Sequence, residues 1–165
     1  MRSLTMLLPS GKFLLAAALW LSALSVGGVN GFSADVAIIV SPDVPVENLS
    51  LDEVRKIFRG DRQYWSSDLR ITILVRAPVA RERDVVLKTI YSMTEAQYRQ
   101  YWISKVFRAE VPSGPKIFYS TEMATELVAN IPGAIAFVDS AQVPRGSKVL
   151  RINGALPGQA NYPLR

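Results

Sequence analysis

Apolar residues recur at three- and four-residue steps in several stretches of the chain, the spacing that places them on one face of a helix. The clearest stretch begins at Ser50, which is spaced from Glu53 to form a capping box, and it ends before Gly60, a residue suited to the left-handed position after a helix. Thr94 and Gln97 form a second potential capping box. The predicted helices span residues 50–59, 80–90, 95–107 and 121–131.

Continuous apolar runs alternate with these helices and predict strands that are buried on both faces. The runs are VAIIV at 36–40, ITILV at 71–75 and AIAFV at 134–138, with a fourth strand near a sheet edge at 149–152. Residues 108–119, which contain Pro and Gly, are predicted as an ordered loop. Strands that alternate with amphipathic helices indicate an α/β domain, layered helix-sheet-helix, with a largely parallel or mixed sheet.

The N-terminal segment has the layout of a secretory signal. Arg2 and Lys12 precede an uncharged apolar run at 13–29, and small residues become frequent towards the end of this run. We therefore expect a signal peptide over 1–34, cleaved after Gly31 or Ala34, and a periplasmic protein. An uncleaved N-terminal membrane anchor is the alternative. The remaining chain is divided into a folded domain at 35–152 and an extended or poorly ordered C-terminal tail at 153–165.

Charge and composition exclude several functional classes. The net charge is +5, and it falls to +3 when Arg2 and Lys12 leave with the signal. The remaining cations are interspersed with acids, so a nucleic-acid surface is not expected. The chain has no His and no Cys, which excludes an imidazole base, a thiol nucleophile, a disulfide and a lipoprotein anchor at the signal junction. No spaced acidic loop predicts a metal site, and we expect a protein that is not an enzyme and has no cofactor.

Three segments together resemble the phosphate-binding proteins of phosphate ABC transporters. They are IFRGDRQYW at 57–65, the YW pair with Phe107 at 101–107, and PGAIAFVD at 132–139. Their order and spacing are similar to those of one lobe of the type II periplasmic-binding-protein fold, over about residues 36–140. The resemblance implies a substrate-binding domain for phosphate or a related oxyanion and, as a possible partner, an ABC transporter permease.

The resemblance also implies the site residues. The strand that reads ITILVRA looks like the family strand that ends in a phosphate-binding Arg, and Arg76 is the matching residue. In the family a Ser-Gly-Thr turn at a helix N-terminus then cradles the anion. Ala80, Arg81 and Glu82 stand at those three positions, so the implied ligand-binding residues are Arg76, Ala80, Arg81 and Glu82. From the charge pattern alone, Arg81 and Arg83 are expected on a solvated first turn of the helix.

A second interpretation keeps the fold and omits the ligand. The chain has no hydroxyl in the turn at 78–82, and it has the length of one lobe, which offers half of a ligand cleft. A non-ligand-binding accessory or protein-interaction module on the same scaffold is therefore the alternative function. A homodimer that completes the cleft is a possible form of it.

Overall fold

The computed structural model describes residues 34–165, so the predicted signal run and its first cleavage point, Gly31, lie outside the described residues. Its regular elements in chain order are β1 Val36–Val40, β2 Asn48–Leu49, α1 Leu51–Phe58, β3 Thr72–Arg76, α2 Arg81–Val86, a π-helical turn Leu87–Tyr91, α3 Glu95–Phe107, β4 Lys116–Phe118, α4 Thr121–Asn130, β5 Ala134–Asp139, a 3-10 turn Ser140–Gln142, β6 Lys148–Val149 and β7 Arg151–Ile152. Among these helices none has the length and apolarity needed to cross a membrane.

Five strands form a mixed sheet in the order β4-β3-β5-β1-β6. Strand β3 is parallel to both β4 and β5, whereas β1 is antiparallel to β5 and β6. The short strands β2 and β7 pair with each other in parallel, apart from the main sheet. Strand β3 is thus an interior strand of the sheet, and its C-terminal residue Arg76 lies beside the end of β4.

The two faces of the sheet hold separate apolar clusters, because successive strand residues point to opposite sides. On one face, large side chains such as Ile38, Ile135 and Phe137 pack with α1, α2 and α3. On the other, Ala134 and Ala136 belong to a cluster with the apolar side of α4, where small side chains allow close packing. The predicted layered helix-sheet-helix α/β fold is confirmed.

Local sequence signals place three of the four helix starts. Ser50 and Thr94 form the two predicted capping boxes, and the Ser120 hydroxyl accepts from the backbone N–H at the start of α4. Gly60 has a φ of +73°, as expected after a helix. The predicted helix at 80–90 is present as α2 followed by the π-helical turn, and left-handed Ser92 ends it.

Three segments differ from the sequence expectation. The single strand predicted at 149–152 is two short strands, β6 at the edge of the main sheet and β7 paired with β2. The loop predicted at 108–119 contains β4, a short edge strand in which only Phe118 is buried, so it lacks the apolar run that revealed β1, β3 and β5. The segment 153–165 has no helix or regular strand, yet the side chains of Tyr162 and Leu164 are buried in the core. The Tyr162 hydroxyl donates to the carbonyl oxygen of Val36 at 2.7 Å, and this bond attaches the tail to the first strand.

Candidate functional site

The candidate site lies where β3 ends and the chain turns into α2. Arg76 is the last residue of β3, and residues 77–80 connect it to the helix. Within this connection Val79 is fully exposed and has a φ of +70°. A β-branched residue in the left-handed region is strained, and such strain is concentrated at binding sites and switch regions. The connection is therefore a tight turn that keeps the end of β3 close to the first turn of α2.

The Arg76 guanidinium faces a carboxylate of that first turn. Its Nε atom lies 3.6 Å from Oε1 of Glu82, and the two side chains are about 21% and 11% exposed. The Cζ atom of Arg76 also lies over the ring of Phe118, 5.9 Å from its centroid. Its Nη1 is buried and has no hydrogen-bond partner within residues 34–165. Arg76 is thus an ion-paired cation with at least one buried N–H group that has no acceptor among residues 34–165.

The opening of α2 offers backbone donors without a side-chain cap. Ala80 is the N-cap residue, and its methyl group accepts no hydrogen bond. In the part of the chain that the structure describes, the N–H groups of Arg81 and Glu82 have no backbone acceptor. Free N–H groups and the helix dipole favour negative charge here, and the carboxylate of Glu82 provides it. The Arg81 guanidinium instead donates to the carbonyl oxygen of Ala34.

Arg83 is a residue of this region that the sequence interpretation placed wrongly. It is only 4% exposed, whereas a solvated position was expected. Its Nε and Nη2 donate to the two carboxylate oxygens of Glu95, each at 2.8 Å, and its Nη1 donates to the carbonyl oxygen of Arg76 at 2.5 Å. These hydrogen bonds from Arg83 hold the pKa of Glu95 below its ordinary value. No sequence signal links residues 83 and 95, because they belong to different helices.

The four residues named from the sequence therefore lie at one end of the sheet, but they do not all face one space. Arg76 and Glu82 face each other, Ala80 contributes only backbone, and the Arg81 side chain contacts the chain near Ala34. Arg76 does not line the clefts found at the start of β3, beside α3 or near β6. An anion at Arg76 would have to compete with Glu82 for the guanidinium.

Solved structures of transport receptors share this fold. A chain assigned as a phosphate ABC transporter substrate-binding protein from Clostridium perfringens, solved with phosphate bound, has a TM-score of 0.59 and 17% identity, over 74% of this chain and 46% of that one. An ABC-type phosphate transport receptor from Vibrio cholerae has a TM-score of 0.59 and 19% identity, over 75% and 48%. PstS from Borrelia burgdorferi has a TM-score of 0.58 and 16% identity, over 75% and 49%. No protein-family model matches the sequence.

The match covers about three quarters of this chain and less than half of each receptor. That proportion is consistent with a single lobe of such a receptor, as the sequence predicted. At 16–19% identity the likeness shows the fold. The chain thus has the fold of a solute-binding protein of the phosphate ABC transporter type.

Proposed function

We propose that this protein is an exported, non-enzymatic solute-binding domain that contacts phosphate or a related oxyanion through Arg76, in connection with ABC-type transport. The signal over 1–34 directs the folded domain that follows it to the periplasm, where a transporter permease is its partner. The observation that carries the proposal is the place of Arg76. It ends an interior strand beside the uncapped start of α2, on a fold shared with phosphate receptors.

The chemistry of this place favours a tetrahedral anion. A guanidinium carries five N–H donors in a planar fork that matches an oxyanion, and Glu82 engages only one side of it at 3.6 Å. The N–H groups of Arg81 and Glu82 provide further donors at the positive end of the helix dipole. Phosphate binds when the Glu82 side chain moves away and the anion replaces its carboxylate beside Arg76.

Substitution of Glu82 tests this exchange directly. Glu82→Gln removes a negative charge next to the guanidinium, so the affinity for phosphate should rise about tenfold, whereas Arg76→Gln should abolish binding. Asp84→Asn is the matched control, because Asp84 is an exposed acid in the same helical turn. Isothermal titration of residues 32–165, the chain that follows the first predicted cleavage point, would measure the affinities.

Titrations with phosphate, sulfate and molybdate that yield no heat for either the wild-type protein or the Glu82→Gln variant would refute oxyanion binding at Arg76. A Glu82→Gln affinity no higher than that of Asp84→Asn would refute the competition between Glu82 and the ligand.

The pairing of Arg76 with Glu82 favours one alternative, an accessory or protein-interaction module. In that function Glu82 stays paired with Arg76 and no ligand replaces it, and the end of the sheet is a surface that contacts another protein. Val79 and Tyr119, which follow the ends of the neighbouring strands β3 and β4, are 100% and 70% exposed. Glu82→Gln would then lower the melting temperature without any gain in phosphate binding, and light scattering would detect a homodimer that joins two such surfaces.

A further inference from the structure

A cleft lies at the opposite end of β3 from Arg76. It is bounded by the loop that follows α1, by the start of β3 and by the loop that leads into β4. Its cavity volume is about 120 Å³, and it is open to solvent on one side. The lining residues that matter for its chemistry are Arg62, Gln63, Arg70, Trp102, Val111 and Lys116. The resemblance to phosphate receptors gave no reason to expect a site here.

The charged side chains that line this cleft are all basic: Arg62, Arg70 and Lys116. Of these, only Arg62 has a carboxylate within 4 Å among residues 34–165, that of Glu53 at 3.7 Å. Arg70 and Lys116 are exposed and have no such partner in the same part of the chain. Like charges held around a concave surface create a positive potential that attracts anions.

Two acids of the bounding loops are neutralised by other cations. A third acid, Asp68, is two residues from Arg70 but accepts from the Ser66 hydroxyl at 3.0 Å and has no Lys or Arg nitrogen within 4 Å among residues 34–165. Asp61 accepts from Nζ of Lys105 at 2.5 Å. Glu110 accepts from Nε of Arg108 at 2.6 Å and lies 3.8 Å from the same lysine. Because Asp61 and Glu110 are already paired, these two carboxylates do not cancel the charge of Arg70 and Lys116.

The walls of the cleft are preformed. The side-chain amide of Gln63 donates to the carbonyl oxygen of Glu110 at 2.9 Å and so ties the first loop to the second. Gly60 packs on the benzene ring of Trp102 so closely that a Cβ atom on it would lie 2.9 Å from the ring. Trp102 and Val111 are buried and contribute apolar surface beside the cations. A preformed pocket with apolar walls and a few placed charges is the usual form of a small-ligand site.

We propose that this cleft binds a small organic anion with an apolar or aromatic group. Arg70 and Lys116 contact the anionic group, and Trp102 and Val111 pack against the apolar part. This site is separate from the one at Arg76 and does not depend on it, because the two lie at opposite ends of β3.

Chemical-shift titration of residues 32–165 with phenyl phosphate tests the proposal, with inorganic phosphate and phenol as half-ligand probes. Phenyl phosphate should shift the Trp102 indole and the Gly114 amide, and it should bind about tenfold more tightly than either half-ligand. Arg70→Gln with Lys116→Gln should weaken binding by about tenfold or more. Arg145→Gln with Arg151→Gln removes the same charge at two exposed arginines outside the cleft and should leave the affinity nearly unchanged.

Arg76→Gln separates this site from the proposed function, since it should leave the shifts at Trp102 and Gly114 intact. Three results would overturn the proposal: no shift at these residues with phenyl phosphate, equal weakening in the two double variants, or equal affinity for phenyl phosphate and inorganic phosphate. Either of the first two results would show that the basic residues of the cleft do not bind the anion. The third would show that the apolar walls of the cleft do not contribute to binding.

Discussion

Arg83→Met tests whether a buried ion pair holds the end of β3 in place. The Arg83 side chain is 5% exposed, and it reaches both Glu95 and the carbonyl oxygen of Arg76. Methionine replaces the aliphatic stem of the arginine with an unbranched apolar chain but removes the positive charge and the donors. The substitution therefore leaves Glu95 without its cation and removes the bond that fixes the backbone of Arg76.

The expected loss of stability follows from these contacts. Breaking a fully buried pair by removing one partner costs about 3–5 kcal/mol, and the Glu95 side chain, 34% exposed, recovers part of this through water. The guanidinium also lies 4.8 Å from the centroid of the Tyr98 ring, an interaction of about 1 kcal/mol. Because such terms are not additive, we expect a decrease of about 3 kcal/mol in the free energy of unfolding, or about 10 °C in Tm.

Urea unfolding of residues 32–165 at neutral pH would measure this difference. Arg108→Met is the matched control, since Arg108 forms the same kind of pair with Glu110 at 2.6 Å but both side chains are exposed, and little change is expected. A double-mutant cycle with Glu95→Gln would isolate the energy of the pair itself.

The pH dependence provides a second readout. The Arg83 hydrogen bonds lower the pKa of Glu95 in the folded state, so at acid pH the unfolded chain binds this proton more readily. The stability from Glu95 is complete above its unfolded pKa of about 4.3 and is lost as the pH falls through the lower folded value. When the pH is lowered below about 4.3, the free energy of unfolding should therefore fall less in the Arg83→Met variant than in the wild-type protein. An Arg83→Met variant no less stable than Arg108→Met, with an unchanged acid limb, would refute the structural role of the pair.

Two further pairs of substitutions probe the packing of the domain by thermal unfolding. Tyr162→Phe removes the hydrogen bond to Val36 and should lower the free energy of unfolding by about 1–2 kcal/mol. Tyr98→Phe removes a buried hydroxyl with no partner in residues 34–165 and should leave the stability unchanged or raise it. Equal losses of stability in the two variants would contradict this distinction. Gly133→Ala should lower the free energy of unfolding by about 3 kcal/mol or more, because the new Cβ would lie 2.1 Å from a backbone oxygen. Gly146→Ala should lower it by about 1 kcal/mol, because this residue has a positive φ but open space around it. Similar losses in the two variants would show that the steric clash at Gly133 is relieved.

The features that were predictable depend on short-range patterns. The capping boxes at Ser50 and Thr94 need only residues three positions apart, and the strand at 36–40 has one continuous apolar run because both of its faces are covered. The position of Arg76 at a strand end follows from the same reasoning. By contrast, β4 was missed because it is short and mostly exposed, so hydrophobic periodicity carries no signal there.

The sequence by itself determined the layered α/β fold, the helix limits and the kind of residue at the end of β3, since each depends on local periodicity and capping. Only the tertiary structure decided what Arg76 faces and that Arg83 is buried against Glu95. It also decided that Arg62 and Arg70 of one loop meet Lys116 of β4 around the cleft at the start of β3. The physical reason is that these contacts join groups from different elements. Their electrostatic energy depends on distance and burial, which are set when the helices pack on the sheet.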